Sequence, residues 1–268
     1  MRTRVHRCAW LAATPWACAV LVALAAAPAR ARPARRMFEP TDLELEDPGL
    51  LEIDGQIGVV RGPEAFRLAV PDLEIDLGLP HGFELDLDGA FALEAPADGT
   101  LRFDHVAPDN LWLGLKTGLF DWNDPAQRAA WAIGAQIGPK LPLAPEAHGV
   151  GIEALLLAGF HRAGTHVMLN AGGLVDPASG DDTARPVGLE GGVDLAQDLA
   201  DDRWSLTAQL GAIVFRSDDP HQLTVSFGVA WAPSQTLELS LVMLAGLLPG
   251  SDRYGLLLGL APKIAVWR

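Results

Sequence analysis

From about residue 50 onward, apolar and polar positions alternate in successive segments of roughly ten residues, and glycine, proline, aspartate or asparagine marks nearly every break. The clearest stretch runs from Leu73 to Leu87. Leu73, Ile75, Leu77 and Leu79 interleave with Glu74, Asp76 and Gly78; after Pro80-His81-Gly82, the residues Phe83, Leu85 and Leu87 interleave with Glu84, Asp86 and Asp88. Strand side chains point to opposite faces with period two, so one face is oily and the other rich in carboxylates. A helix would set Glu74 and Asp76 about 200° apart and smear that segregation. An oily face repeated on strand after strand is the signature of a membrane-spanning β-barrel, and the remaining question is whether that face meets lipid or a second sheet.

The same alternation yields twelve strand candidates, approximately Leu50–Val60, Phe66–Leu79, Phe83–Leu93, Leu111–Phe120, Trp131–Leu141, Val150–Phe160, Thr165–Val175, Pro186–Asp198, Trp204–Phe215, Gln222–Trp231, Thr236–Ala245 and Tyr254–Val266. Ala154–Leu157 and Leu256–Leu258 are oily on both faces, and Pro262 would remove a donor from a closed ladder. An even count fits a barrel with both ends on the periplasmic side, which predicts longer odd-numbered connections. Glu94–Asn110, Pro142–Gly149, Asp176–Arg185, Arg216–His221 and Gly246–Arg253 are indeed longer than Pro80–Gly82, His161–Gly164, Leu199–Arg203 and Ala232–Gln235. Asp121–Ala130 is too long for the even series and Arg61–Ala65 is short for the odd. Phe83, Phe120, Trp131, Phe160, Trp204, Phe215, Trp231 and Trp267 fall at or near strand ends, as interfacial girdles require. The predicted fold is all-β, an antiparallel up-and-down transmembrane β-barrel of about 12 strands.

The first residues change the picture by fixing a compartment. Arg2, Arg4 and Arg7 precede an uncharged run from Cys8 to Ala29, and Ala29-Arg30-Ala31 offers the small residues a signal peptidase reads. The predicted organisation is a signal peptide over 1–31, an N-terminal extension over 32–49 and a barrel over 50–268, exported to the outer membrane. Cys8 and Cys18 both leave with the signal, so neither a disulfide framework nor a thiolate metal site remains. Four of the 20 basic residues leave as well (Arg2, Arg4, Arg7, Arg30) and no acid does; 16 basic residues then face 34 acidic ones, a net charge of −18. Such a surface is a poor nucleic-acid binder. No later apolar run reaches the 18 or so residues of a spanning helix. The expected partners are outer-membrane lipid and a small-molecule cargo.

The order of segments is similar to that of an outer-membrane β-barrel transporter family linked with meta-pathway phenol degradation. Asp72-Leu-Glu-Ile-Asp-Leu-Gly-Leu-Pro-His-Gly-Phe-Glu-Leu-Asp-Leu87 resembles its opening pair of strands. Asp109-Asn-Leu-Trp-Leu-Gly-Leu-Lys116 and Ala132-Ile-Gly-Ala-Gln-Ile-Gly-Pro-Lys-Leu-Pro142 resemble the next two, and the likeness spans about 66–215. It implies a porter of small hydrophobic or aromatic compounds, related to fatty-acid channels, with no fixed functional residues to carry over. Outer-membrane barrels usually finish on an aromatic residue, whereas here Arg268 follows Trp267.

No catalytic motif stands out: Gly-x-Ser-x-Gly, His-Glu-x-x-His and a strand-flanked phosphate loop are all missing. His81, His105, His148, His161, His166 and His221 are scattered and read mostly as loop residues; His166 and Asn170 share a face, with no serine close in sequence. Asp176-Pro-Ala-Ser-Gly-Asp-Asp182 could gather oxygens around calcium, but its spacing is that of an ordinary turn. The prediction is therefore a non-enzymatic protein with no cofactor and no metal site. The candidate functional residues are Glu74, Asp76, Glu84, Asp86 and Asp88, on the polar face of one hairpin, with Lys116, Gln136 and Lys140 on the strands that follow. In a membrane barrel that face is the lumen, because a carboxylate facing lipid near the midplane costs on the order of 2 kcal/mol. There the carboxylates either line an aqueous, cation-favouring path or pair with Lys116, Gln136 and Lys140 to brace a filled interior. A structural barrel without transport, or a soluble periplasmic β-sandwich, are the alternatives.

Overall fold

The computed structural model describes residues 45–62, 66–94, 105–124, 126, 128–144, 147–179, 185–199, 203–216 and 219–267; the export segment and most of the extension lie outside them. The described residues form a closed antiparallel barrel of twelve strands and contain no helix. The strands are β1 Leu50–Arg61, β2 Phe66–Leu79, β3 Phe83–Glu94, β4 Leu111–Asp124, β5 Ala129–Leu141, β6 Gly151–Arg162, β7 Thr165–Val175, β8 Val187–Leu199, β9 Trp204–Phe215, β10 Gln222–Ser234, β11 Leu237–Gly246 and β12 Tyr254–Ala265. Each pairs with its neighbours in sequence, and β1 pairs with β12 from Leu50↔Ala265 to Arg61↔Tyr254, which leaves no open edge. A short strand, His105–Pro108, extends the ladder beside the far half of β3, and Ala147–His148 pairs with Ala178–Ser179 outside the barrel.

One of the two predicted irregularities in loop length disappears, while the first odd connection stays short at 62–65. β4 runs on to Asp124 and β5 starts at Ala129, so the connection expected over Asp121–Ala130 shrinks to 125–128. Trp122 and Trp131 face one another in that added ladder, and cross-strand aromatic pairing explains the extension beyond the first polar residue. All five connections at this end are now short: 80–82, 125–128, 163–164, 200–203 and 235–236. Both terminal strand ends, Leu50 and Ala265, lie at the same end.

Burial separates the two walls. Glu52, Gln56 and Val60 are buried while Ile57 and Val59 between them are exposed, and the alternation continues around the barrel. On the outer wall Leu189 is 71% and Leu156 63% accessible, alongside Ile137, Leu210, Phe227, Met243, Leu256, Leu258 and Leu260. Both doubly oily segments resolve the same way. Leu156, Leu256 and Leu258 face outward, and Leu155, Leu157 and Leu257 are buried against the interior. A closed barrel with an apolar outer band leaves no second sheet for that band to meet, so the sandwich alternative falls and lipid is the matching environment.

Prolines sit where the ladder is broken. Pro71 lies in a bulge of β2 between Ala69 and Asp72, and this slip keeps Arg67 and Asp72, an odd and an even position, on the same wall. Pro233 lies at the register shift between Trp231 and Ser234. The β4–β5 pairing is interrupted between Trp112↔Lys140 and Leu115↔Ile137, opposite Pro139. The β1–β12 pairing skips from Gly55↔Leu260 to Glu52↔Lys263, opposite Pro262. A proline offers no N–H, so a closed sheet accommodates it at bulges and gaps.

Aromatic side chains gather at the short-turn end of the outer wall. Phe120 lies 4.7 Å from Trp131, and Trp204 stacks on Trp231 at 5.6 Å and 17°. Phe215 departs from the expectation of a girdle residue. It pairs with Gly188 on the inner-wall register, where its ring edge lies 3.3 Å from the Cβ that Gly188 lacks.

Candidate functional site

The inner wall near the short-turn end is ionic. Pro80-His81-Gly82, with His81 at φ 70° and Gly82 at φ 74°, closes the β2–β3 hairpin and sets Glu74 opposite Asp88, Asp76 opposite Asp86 and Gly78 opposite Glu84. β4 then sets Lys116 beside Glu84, and β5 sets Gln136 beside Lys116. Lys116 Nζ lies 2.5 Å from Glu84 Oε1, and Gln136 Nε2 donates to Asp86 Oδ2. Glu84, Asp86 and Gln136 are each only 1% accessible, which a wide water-filled pore would not permit. Gly114 fits the pair, because a Cβ there would come 2.9 Å from Gln136 Nε2.

The eight sequence-predicted residues all lie on the inner-wall register, but they do not form one group. Glu74, Asp76, Glu84, Asp86 and Asp88 share the β2–β3 hairpin, and Lys116 and Gln136 reach it. Lys140 lies instead at the long-loop end. There its Nζ is 2.9 Å from both Glu153 Oε2 and Asp176 Oδ1. Asp176 is thus an ion-pair partner at the start of the acidic loop considered for calcium; residues 180–182 of that loop lie outside the described ones.

Three residues of the ionic wall at the short-turn end, Lys263, Glu46 and Glu52, escaped the sequence reading. Lys263 bonds Glu46 and lies 3.4 Å from Glu52, and the Glu46 backbone N–H donates to Glu84 Oε2. Residues 45–49, placed in the extension, therefore fold into the short-turn end of the barrel. Gly49 N–H donates to Gly78 O at 2.9 Å, and a Cβ on Gly78 would strike Asp47 O at 2.2 Å. Gly78, the one glycine in an otherwise regular acidic strand, was the available signal.

Toward the long-loop end the lining becomes apolar. Val60, Val242, Leu244 and Leu257, with Ala230 below them, form one buried cluster. Trp112, Leu155 and Leu157 form another. At the rim Arg67 bridges to Asp252 of the 247–253 connection.

A second polar group lies on the opposite sector of the inner wall. His161 and His166 pair directly across the β6–β7 hairpin, their rings stacked at 4.3 Å and 14°. His166 Nε2 is 2.8 Å from Asp198 Oδ2, and Ser205 Oγ donates to Asp198 Oδ1 at 2.8 Å. The sequence reading placed His161 in a turn; the turn is only Ala163–Gly164, at φ 50° and 83°. Two histidines equidistant from Ala163-Gly164 were the signal for a cross-strand pair.

No family model and no curated protein matches the sequence. Among solved structures the chain is similar to an outer membrane channel from Pseudomonas putida F1, at 13% identity and a TM-score of 0.60, over 85% of this chain and 100% of that one. At that identity the likeness is one of fold. Two more distant shapes are a loop L8 deletion mutant of OmpT, an outer membrane protein of Vibrio cholerae (9% identity, TM-score 0.43, 80% of this chain and 98% of that one), and the CymD monoaromatic hydrocarbon channel (11%, 0.39, 83% and 90%).

Proposed function

We propose that this chain is an outer-membrane porter that passes or binds small compounds with apolar or aromatic parts, and is not an enzyme. The observation that carries this reading is the apolar part of the inner wall, Val60, Val242, Leu244 and Leu257 toward the long loops and Trp112, Leu155 and Leu157 reaching to mid-barrel, inside a wall that already satisfies lipid outside. A closed barrel needs apolar residues outside; apolar residues inside as well suit a passenger that is itself apolar. The resemblance of 66–215 to the phenol-degradation transporters points the same way. Glu74, Asp76, Glu84, Asp86 and Asp88, with Lys116 and Gln136, act in this reading as a brace that narrows the path, and Lys140 holds the opposite rim. The signal peptide is removed after Ala31, and the barrel domain begins near residue 50. Ser205 donates to Asp198 and not to a histidine, which supports a non-catalytic role, because a nucleophile needs a base within reach.

The test is uptake into liposomes carrying the purified barrel, using phenol and a sugar of similar size, with bilayer conductance in parallel. Faster phenol entry than in empty liposomes, with little sugar entry and small conductance, is expected. Phenol entry no faster than in empty liposomes would overturn the porter reading. The near-complete shielding of Glu84, Asp86 and Gln136 favours a second reading, a structural barrel without transport. A silent bilayer and unchanged phenol entry would establish it.

A further inference from the structure

Among the described residues, the His161–His166–Asp198 cluster at the short-turn end belongs neither to the ionic brace nor to the apolar lining. We propose that these three residues bind one borderline transition-metal ion such as Zn²⁺ or Cu²⁺. Each offers one ligand atom, and the three atoms lie within 4.8 Å of one another. Two imidazoles and one carboxylate are the donor set of Zn²⁺ and Cu²⁺; calcium and magnesium prefer oxygen alone.

The scaffold holds the donors before any ion arrives. A two-residue turn fixes His161 opposite His166, and a Cβ on Gly164 would come 3.4 Å from Asp198 Cβ, so the turn and Asp198 are packed together. Asp198 N–H donates to Gly164 O at 2.8 Å, and Ala163 N–H to Arg128 O at 3.0 Å, which ties the hairpin to both neighbours. Gln197 bonds Thr165 Oγ1 at 2.7 Å and Gly164 O at 3.2 Å on the other face of the same strands. Ser205 orients the carboxylate from behind, as hydroxyl and carboxylate partners do for metal ligands. His161 Nε2 accepts a long hydrogen bond from Gly164 N–H at 3.3 Å, so that nitrogen carries a lone pair and not a proton. Rotation of one stacked ring about χ2 turns the pair onto a shared ion, which then replaces the His166–Asp198 hydrogen bond, with the His166 proton on Nδ1.

The cluster stitches β6, β7 and β8 at the end where the barrel's own connections are shortest. An ion there would clasp three strands at the rim without entering the ionic brace on β2–β5. This inference stands apart from the porter reading, since a structural barrel would bind the ion equally well.

The experiment is calorimetric titration of the folded, detergent-solubilised barrel, produced without a polyhistidine tag, with Zn²⁺, Cu²⁺, Ca²⁺ and Mg²⁺. One Zn²⁺ or Cu²⁺ per barrel is expected, with no comparable Ca²⁺ or Mg²⁺ binding. His166→Gln and Asp198→Asn should each weaken Zn²⁺ binding at least about tenfold, and Ser205→Ala by about tenfold through loss of orientation. His221→Gln, on a distant connection, should leave it unchanged. Gel mobility before and after heating confirms that each variant is folded. Co²⁺ substitution adds a spectroscopic check, with intense visible bands for a four-coordinate ion. Absence of Zn²⁺ and Cu²⁺ binding by the wild-type barrel would overturn the proposal, as would full affinity in folded His166→Gln and Asp198→Asn.

Discussion

The two halves of the lumen are built on opposite principles. Near the short turns, charge meets charge, Lys116 on Glu84 and Lys263 on Glu52 and Glu46, and the Gln136 amide bonds Asp86. Toward the long loops, Val60, Val242, Leu244 and Leu257 meet each other. Both halves are buried, yet they respond differently to truncation. An apolar side chain removed from a packed cluster leaves a cavity that neighbours partly fill. A cation removed from a buried pair strands a carboxylate that water cannot reach. Truncation should therefore cost more in the ionic group near the short turns than in the apolar cluster toward the longer loops.

The sharpest way to break this contrast is Lys116→Met. It should destabilise the barrel by about 3–5 kcal/mol, since Glu84 is left buried without its cation. Urea unfolding followed by tryptophan fluorescence measures it, and adding Glu84→Gln should recover most of the loss. A loss in the single variant no larger than that of a surface substitution would sink the idea of an ionic brace. Next comes Leu257→Ala, expected to cost about 2–4 kcal/mol by the same measurement and to raise bilayer conductance as the apolar section widens. Unchanged conductance would mean that the narrowest point lies elsewhere.

The outer wall supplies a smaller effect. Trp204→Ala removes one ring of a stacked pair and should cost about 1 kcal/mol, with faster loss of the folded band on heating. Smallest is Lys140→Ala at the long-loop rim, where water reaches Lys140 and Asp176 though not Glu153; it should cost about 1 kcal/mol. If it matched Lys116→Met, the distinction between rim and interior would vanish.

Period-two alternation made the strands and both walls legible, because every inward position is bounded by an outward one that must suit lipid. Strand ends were less so. Trp122 and Trp131 extend their hairpin by an aromatic pairing that hydropathy alone does not register, and Gln222–Ser234 runs past Trp231 through a bulge at Pro233. The Glu84–Lys116 contact was foreseeable, since adjacent strands put the two in register; Gln136 reaches Asp86 across Gly114 of the strand between them. Lys140 was grouped with the hairpin carboxylates instead of with Glu153, its diagonal neighbour on the next strand, and Asp176 comes from a connection, which strand alternation does not place. Lys263 with Glu46 was hidden for the simplest reason, that the two are 217 residues apart.

That separation bears on how the cylinder comes into being. The seam between β1 and β12 joins the earliest and the latest strands to be delivered, and Lys263 fastens it from the far side of the chain. Until β12 arrives, two raw borders stay exposed, and a nascent sheet in that condition is open to pairing with any other extended polypeptide. The last strand thus both removes those borders and brings Lys263 to Glu52 and Glu46.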